Sequence, residues 1–252
     1  RERLADRLEM RTAIVLAAGQ GRRLRESWDL PKGLLRFGSE TLIERSLRLL
    51  RGRGIERVVL VVGYQAALYR DLLGSSAGVE LVANESYADS GSMASLARAL
   101  EVVHEDFLLV ESDLAYEARG LDALLEHPAG NVLLASGPTG AGDEVWVDAP
   151  HGRVRRLSKD PAALGERSGE LVGLTRVSAE LASALGAAYG ALVRQRGDEH
   201  IAYDTDALSA VAGSHEIALC LVEDLVWGEV DDATQYARLR DQVWPHLAKQ
   251  GE

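Results

Sequence analysis

Short apolar runs alternate with amphipathic segments along the first half of the chain, and this alternation constrains the fold more than any other feature. The runs are rich in β-branched residues and are bounded by polar segments, which predicts buried strands. They are TAIVLA (12–17), RVVLVVGY (57–64), VELVA (79–83), FLLVESD (107–113) and NVLLAS (131–136).

Between these runs, apolar residues recur at helical spacing over 41–51, 92–103 and 118–127. Thr41 and Glu44 have the spacing of a capping box at the start of the first helix. Strands that alternate with helices through short connections form a mostly parallel sheet with helices on both faces. We therefore predict an α/β fold with a Rossmann-like, mostly parallel (mixed) sheet.

The pattern changes after Gly137. EVWVD (144–148) and GRVRRLS (152–158) alternate like a hairpin joined by APHG. We predict a single domain, residues 10–252, with a small inserted β element or lid at about 138–176. Residues 1–9, ahead of Met10, are predicted to be an N-terminal extension. The remaining predicted elements are a helix at 177–196, a strand at 215–224 and a helix at 231–244.

Composition narrows the class of protein. The chain has 252 residues, a net charge of -11 and one cysteine, Cys220. The negative charge argues against general nucleic-acid binding, and no apolar run approaches the roughly 20 residues of a membrane span. A single cysteine excludes an internal disulfide framework and favours a cytoplasmic location. A homodimer stays open.

Charge is distributed unevenly along the chain. Residues 1–57 hold 14 of the 28 Lys and Arg residues but only 8 of the 39 Asp and Glu residues. A basic first part predicts a bound anion near the start of the chain, and an acidic remainder predicts a bound cation or metal.

The stretch VLAAGQGRRLRESWDLPKGLL (15–35) carries the strongest motif. A strand that ends in glycines and basic residues is suited to hold phosphates at the carboxyl edge of a parallel sheet. A P-loop is excluded because no G-x-x-x-x-G-K-[ST] occurs. A dinucleotide fingerprint is excluded because Leu24 replaces its third glycine and the second strand ends without an acid. A nucleoside triphosphate held over the glycine turn is the interpretation that remains.

The motif L-A-A-G-x-G-x-R-L, followed by P-K-x-L, resembles the signature of the sugar-phosphate-type (MobA-like) nucleotidyltransferases. The resemblance implies transfer of a nucleoside monophosphate from an NTP with release of pyrophosphate. Arg23 and Lys32 match the family's arginine and lysine, and with Asp113 they are the predicted catalytic residues. The predicted nucleotide-binding residues are Leu16, Ala17, Ala18, Gly19, Gly21, Arg22, Arg23, Gly91 and Ser92.

The same resemblance implies a Mg²⁺ site. Asp113 follows a strand at the expected edge of the sheet and corresponds to the family's metal-binding aspartate. WGEVDD (227–232) resembles the family's late W-x-E-[IV]-D element, so Asp231 is the predicted second ligand and Glu229 its substitute. A strand-end turn at Asp113 and a helix cap at Asp231 are the structural alternatives.

The segment NESYADSGSMASL (84–96) resembles the branch that uses CTP to activate phosphocholine or 2-aminoethylphosphonate. Its SGSM departs from the asparagine-rich form of the phosphocholine enzymes, which favours a phosphonate acceptor. Carboxylates and aromatic rings suit an ammonium head group. Glu144 and Trp146, two apart on a predicted strand, should share a face. The predicted acceptor-binding residues are Glu144, Trp146, Lys159, Tyr203, Asp204 and Trp227.

These observations predict a CTP-dependent cytidylyltransferase acting on a small phosphonate or a phosphocholine-like phosphate ester. A sugar-1-phosphate or polyol-phosphate nucleotidyltransferase is the alternative within the same reaction class. An inactive nucleotide-binding sensor is the alternative from another class, and a glycosyltransferase is a more distant one because it would lack this loop.

Overall fold

The computed structural model describes residues 10–24 and 28–250, so the predicted extension at 1–9 lies outside the described residues. In chain order the strands are β1 (Thr12–Ala17), β2 (Arg36–Phe37), β3 (Glu40–Thr41), β4 (Arg57–Val62), β5 (Val79–Ala83), β6 (Phe107–Glu111), β7 (Leu114–Tyr116), β8 (Val132–Ser136), β9 (Trp146–Asp148), β10 (Arg156–Ser158), β11 (Gly169–Val177), β12 (Ala218–Val222) and β13 (Trp227–Glu229).

Eight α-helices lie in the described part of the chain, and none of them combines the length and apolarity that a bilayer span requires. Two π-helical segments precede α6 and α8, at Tyr203–Leu208 and Leu239–Val243. The α-helices are α1 (Leu42–Arg51), α2 (Ala66–Leu73), α3 (Ser92–Leu100), α4 (Ala118–Glu126), α5 (Ala179–Arg196), α6 (Ser209–Val211), α7 (Ala233–Arg238) and α8 (Trp244–Lys249).

Nine of the described strands form one mixed sheet in the order β10-β9-β11-β6-β1-β4-β5, in which β8 pairs with β11 and β12. The pairs β1–β4, β1–β6, β4–β5 and β8–β12 are parallel. β11 runs antiparallel to β6, β8 and β9. The predicted mostly parallel, mixed sheet is therefore confirmed.

Apolar residues cover both faces of this sheet. In β1, Ile14 packs in the layer that contains Leu96 of α3 and Leu181 of α5. Its neighbour Val15 points the other way and packs in the layer that contains Leu47 of α1. A strand buried on both faces reads as a continuous apolar run, which is why β1 was recognisable from the sequence.

Two of the longer elements, β11 and α2, were not predicted from the sequence. β11 is buried along its whole length, but Glu170 and Arg176 interrupt its apolar pattern. A shift of register between Leu171 and Thr175 lies at Gly173, whose φ of +87° favours glycine. α2 starts after Gln65, a non-glycine residue with φ of +48° and no side-chain cap, so it lacks the usual start signal.

Two predicted elements end differently in the structure. β6 stops at Glu111, so Ser112 and Asp113 follow the strand rather than belong to it. The helix predicted at 231–244 is divided into α7, a π-helical segment and α8. The predicted insert at 138–176 includes β9 and β10, but its last residues belong to β11, which pairs with β6 in the main sheet.

Glu117 holds the backbone of Val226, the residue directly before β13 and the WGEVDD segment. Its carboxylate, which is 3% exposed, accepts hydrogen bonds from Val226 N at 2.9 Å, Arg119 Nε at 2.8 Å and Gln250 Nε2 at 2.9 Å. Burial opposes this charge, but the hydrogen bonds outweigh it and lower the pKa of Glu117 to about 2. β13 then pairs with β7, and Glu229 lies opposite Leu114.

We expect Glu117→Gln to lower the free energy of unfolding at pH 7 by about 2 kcal/mol, because buried donors lose a charged acceptor. A carboxyl with a lowered folded-state pKa stabilises the fold above its ordinary pKa of 4.5 and loses that contribution as the pH falls towards 2. Urea unfolding should therefore show that the difference in free energy of unfolding between the wild type and Glu117→Gln becomes about 1 kcal/mol smaller from pH 5 to pH 3.5. Glu126→Gln, at an exposed position, is the control. A loss of stability in Glu117→Gln that does not depend on pH would contradict this account.

Candidate active site

The glycine turn and the Asp113 segment lie side by side because β1 and β6 are parallel neighbours. Leu16 is paired with Glu111, and Ser112 N donates to Leu16 O at 3.2 Å. The segments that follow β1 and β6 therefore leave the sheet at the same edge, where ligands of open parallel sheets bind. Gly21 has φ of +56°, which allows the turn to fold back towards the Lys32 side chain.

A first cavity of about 260 Å³ opens at this edge. Six of the nine predicted nucleotide-binding residues line it, and Gly21, Arg22 and Arg23 do not. Its lining residues are Leu16, Ala17, Ala18, Gly19, Lys32, Tyr69, Tyr87, Ser90, Gly91, Ser92, Ser95, Glu111, Ser112, Asp113, Tyr203 and Asp204.

The two arginines of the glycine turn are held outside this cavity. Arg22 donates to the carbonyl oxygen of Ala88 at 2.9 Å, which ties the turn to the segment before α3. Arg23 forms ion pairs with Asp143 at 2.8 Å and Asp231 at 2.9 Å. The structure thus connects Arg23 to the carboxylates of the site.

Gly91 is one of the predicted nucleotide-binding residues, but its backbone N–H already has a partner within the fold, because it donates to Glu199 O at 2.8 Å. A Cβ at this position would lie 2.2 Å from Ile201 O, so close packing alone explains the glycine. Ser92 also serves the fold, since its Oγ accepts from Tyr203 N at 3.0 Å. Both residues line the cavity, but the N–H of Gly91 is not available to a base.

Lys32 lies at the centre of the site. Its Nζ forms ion pairs with Asp113 Oδ2 at 2.7 Å and with Asp231 Oδ1. Burial disfavours the ammonium, but the two carboxylates outweigh burial and raise the pKa of Lys32 above its ordinary value. Gly33 makes this placement possible, because a Cβ there would lie 2.7 Å from the hydroxyl oxygen of Tyr69.

Three carboxylates form the group best suited to a divalent cation in the described residues. Oxygens of Asp143, Glu229 and Asp231 all lie within 4.8 Å of one another. Asp113, a predicted ligand, lies outside this group and is joined to Asp231 through Lys32. Carboxylate oxygens at this spacing suit Mg²⁺. The donor set therefore fits the metal that the sequence predicts, with Asp143 as an additional candidate.

Both positive and negative side chains surround these three carboxylates. Burial opposes the charge of Asp143, yet hydrogen bonds from Lys159 and Arg23 outweigh it and lower the pKa of Asp143 to about 2. Burial, Asp113 and Asp231 raise the pKa of Glu229 to about 8, because its charged neighbours are mainly negative. A bound cation would relieve this repulsion.

A second cavity of about 120 Å³ adjoins the carboxylates. Four of the six predicted acceptor-binding residues, Glu144, Lys159, Asp204 and Trp227, line it. Its full lining is Glu111, Asp143, Glu144, Val145, Lys159, Glu170, Leu171, Val172, Gly173, Asp204, Trp227, Glu229 and Asp231.

Two aromatic residues predicted for the acceptor are placed elsewhere. Trp146 does not line the second cavity; the guanidinium of Arg167 lies 5.4 Å from its ring centroid. Glu144 precedes β9, so it does not share a strand face with Trp146 as the alternation predicted. Tyr203 lines the first cavity, and its hydroxyl donates to Glu111 Oε1 at 2.5 Å.

Glu111 and Asp204 line both cavities and form the wall that the two share. Burial, together with Asp113 and Glu229, raises the pKa of Glu111 well above its ordinary value. Glu111 was not among the predicted site residues, because a polar residue at the end of a strand is common without any role in a site. Its pairing with Leu16 is what brings it to the junction.

Comparison with known proteins decides the family. A model described as the MobA-like NTP transferase domain matches residues 13–200. The chain belongs to this family. The resemblance inferred from the glycine turn is thereby confirmed, and the match includes most of the elements that build both cavities.

Relatives of this MobA-like chain include enzymes that act on phosphonates. It is 30% identical over 234 residues to CMP-5'-(3-aminopropyl)phosphonate synthase from Streptomyces rubellomurinus. The aligned region covers 87% of this chain but only 37% of that protein. It is 36% identical over 98 residues, 38% of this chain and 42% of the relative, to choline-phosphate cytidylyltransferase from Streptococcus pneumoniae. It is 25% identical to 2-aminoethylphosphonate cytidylyltransferase from Lancefieldella rimae, with 91% of this chain and 92% of the relative covered.

Solved structures share the fold of this MobA-like chain. The inositol-1-phosphate CTP transferase from T. maritima superposes with a TM-score of 0.77 at 22% identity, over 97% of both chains. The CTP:phosphocholine cytidylyltransferase from Streptococcus pneumoniae superposes with a TM-score of 0.70 at 20% identity, over 92% of this chain and 99% of that one.

Gly19 and Gly91 should respond differently to alanine. Nothing lies within 4 Å of a Cβ at Gly19, whereas a Cβ at Gly91 meets the Ile201 backbone. We expect Gly19→Ala to change the free energy of unfolding by less than about 0.5 kcal/mol and Gly91→Ala to lower it by about 1–3 kcal/mol. Urea titrations of the ligand-free variants measure both; equal effects would contradict the packing described.

Proposed function

We propose that this protein is a CTP-dependent cytidylyltransferase that joins CMP to a small phosphonate or phosphate ester carrying an amine. The observation that carries the proposal is a pair of cavities with a common wall. One is lined by the glycine turn and Lys32, and the other by carboxylates and Lys159. Two substrates bound in adjoining cavities can react at the junction.

The first cavity suits the nucleotide. Gly19 leaves open space where a side chain would stand, so phosphates can approach its backbone. Lys32 reaches the same cavity and supplies a fixed positive charge. The choice of CTP is supported by the NESYADSGSMASL segment and by the names of the cytidylyltransferase relatives.

The proposed step is an in-line displacement. An acceptor oxygen forms a bond to the α-phosphorus while the bond from that phosphorus to the pyrophosphate oxygen breaks, and pyrophosphate leaves with its electron pair. Both substrates are anions, so Lys32 and Arg23 contribute by reducing repulsion and orienting the phosphates. Asp143, Glu229 and Asp231 offer oxygens for Mg²⁺, and Asp113 is the further ligand that the family resemblance implies; the ion would supply further neutralisation.

The second cavity favours a primary amine over a quaternary one. Its lining is dominated by carboxylates, which bind an ammonium through charge-assisted hydrogen bonds. A trimethylammonium group lacks such donors and is best held by several aromatic faces. Trp227 is the one aromatic residue of this lining, and its Nε1 is engaged with Ser136 at 2.7 Å. We therefore propose aminoalkylphosphonates as the preferred acceptors.

A pyrophosphate-release screen tests this function. The four NTPs are combined with 2-aminoethylphosphonate, 2-hydroxyethylphosphonate, phosphocholine, inositol 1-phosphate and sugar 1-phosphates in the presence of Mg²⁺. The fastest release is expected with CTP and 2-aminoethylphosphonate. Faster turnover of a sugar or polyol phosphate would favour the alternative acceptor class, and no release with any pair would favour the inactive sensor.

Lys32→Ala should reduce kcat by about 10²-fold or more while changing the KM for CTP much less, because Lys32 acts on charge that moves during the reaction. Steady-state kinetics with the best acceptor measure both constants. Lys249→Ala, on an exposed position of α8, is the matched control. Near-normal turnover of the Lys32 variant would remove Lys32 from the mechanism.

Gly19→Ala should weaken CTP binding at least about tenfold, since the new methyl group occupies the open space beside the turn. Equilibrium binding of CTP in the presence of Mg²⁺ measures this effect separately from turnover. Unchanged affinity would place the phosphates away from Gly19.

A further inference from the structure

Glu170 is a buried carboxyl group in the second cavity that the proposed transfer step leaves without a role. It is 2% exposed and lies on β11, opposite Ser136 of β8 and Trp146 of β9. Its Oε2 accepts from Thr139 N at 2.6 Å, and its Oε1 accepts from Thr139 Oγ1 at 2.8 Å. These two bonds fix the orientation of the carboxyl group on the cavity wall.

The hydrogen bonds leave the charge of Glu170 uncompensated. Neither donor of Thr139 is cationic, and no lysine or arginine among residues 10–24 and 28–250 forms an ion pair with Glu170. Burial and the nearby Glu144 raise the pKa of Glu170 above its ordinary value, and the hydrogen bonds from Thr139 and the charge of Arg238 only partly oppose them. Each carboxylate oxygen also keeps lone-pair capacity for one further donor. A cationic ligand group with N–H donors would supply both the missing positive charge and the missing hydrogen bonds.

The second cavity is lined by groups of both charges. Lys159 forms an ion pair with Asp143 at 2.8 Å, and Asp143 belongs to the carboxylate group suited to a metal. Glu170 lines the same cavity but does not belong to that carboxylate group. A small molecule with an anionic head and a cationic tail therefore finds Lys159 for its head and Glu170 for its tail.

We propose that Glu170 is the specificity-determining residue that binds the terminal ammonium of the acceptor and selects its chain length. This inference rests on the proposed cytidylyl transfer. The phosphonate would lie towards Lys159, and the ammonium would donate to Glu170, with Glu144 as the second carboxylate of that end. Glu170 was not among the predicted site residues, because the interrupted apolar pattern of β11 does not predict a strand.

Glu170→Gln tests the proposal because it removes charge while keeping size and the capacity to hydrogen-bond with Thr139. Turnover is measured with 2-aminoethylphosphonate and with 2-hydroxyethylphosphonate, in which a hydroxyl replaces the ammonium. We expect kcat/KM for the amine to fall about 30-fold and that for the alcohol to change less than about threefold, at an unchanged KM for CTP. Glu223→Gln, an exposed position, is the control and should change neither.

Glu170→Asp provides a second variant, which retains the charge but retracts it by one methylene. Here the ratio of kcat/KM for 3-aminopropylphosphonate to that for 2-aminoethylphosphonate should rise severalfold, since a longer chain reaches the retracted carboxylate. An unchanged ratio, or equal losses for amine and alcohol in Glu170→Gln, overturns the role of Glu170 while cytidylyl transfer stands. Absence of transfer by the wild-type protein to every acceptor overturns the proposed function as well.

Discussion

The ion pairs of Lys32 are the interaction on which the site depends. One ammonium group joins Asp113, which follows β6, to Asp231, which follows β13, and these residues are far apart in sequence. The position of Lys32 depends in turn on Gly33, which packs without a side chain against Tyr69. Because the two carboxylates outweigh the effect of burial, the ammonium remains charged in the lining of the first cavity. The site thus holds one charged ammonium group in place between two carboxylates.

The mixed topology of the sheet gives the site its second half. Parallel strands β1 and β6 bring the glycine turn and Asp113 to one edge. Antiparallel β11 lies beside β6 and contributes Glu170 and Gly173 to the adjoining cavity. Glu111, at the end of β6, faces both cavities. The two cavities therefore adjoin at Glu111 and Asp204, the residues that line both.

Local patterns revealed most of the first half of the site but only part of the second. The glycine turn, Lys32 and Asp113 follow continuous apolar strands, whose period and end points are visible in the sequence. Asp143 and Glu170 belong to a loop and to an interrupted strand, and only long-range pairing gives them a place in the site. Trp146 is the reverse case, a predicted residue that the structure places outside the second cavity. Its ring packs against Arg167 instead. The element type is a local property, whereas the direction of a side chain depends on its distant partners.

A crystal structure of the protein with CTP and Mg²⁺, in the absence of acceptor, tests the central claim most directly. The account predicts the triphosphate against the Gly19–Gly21 turn, with Lys32 Nζ bonded to a phosphate oxygen and the cytosine beside the start of α3. The second cavity should remain free of nucleotide. A triphosphate bound elsewhere, or a Lys32 that keeps both carboxylates and contacts no phosphate, would contradict it.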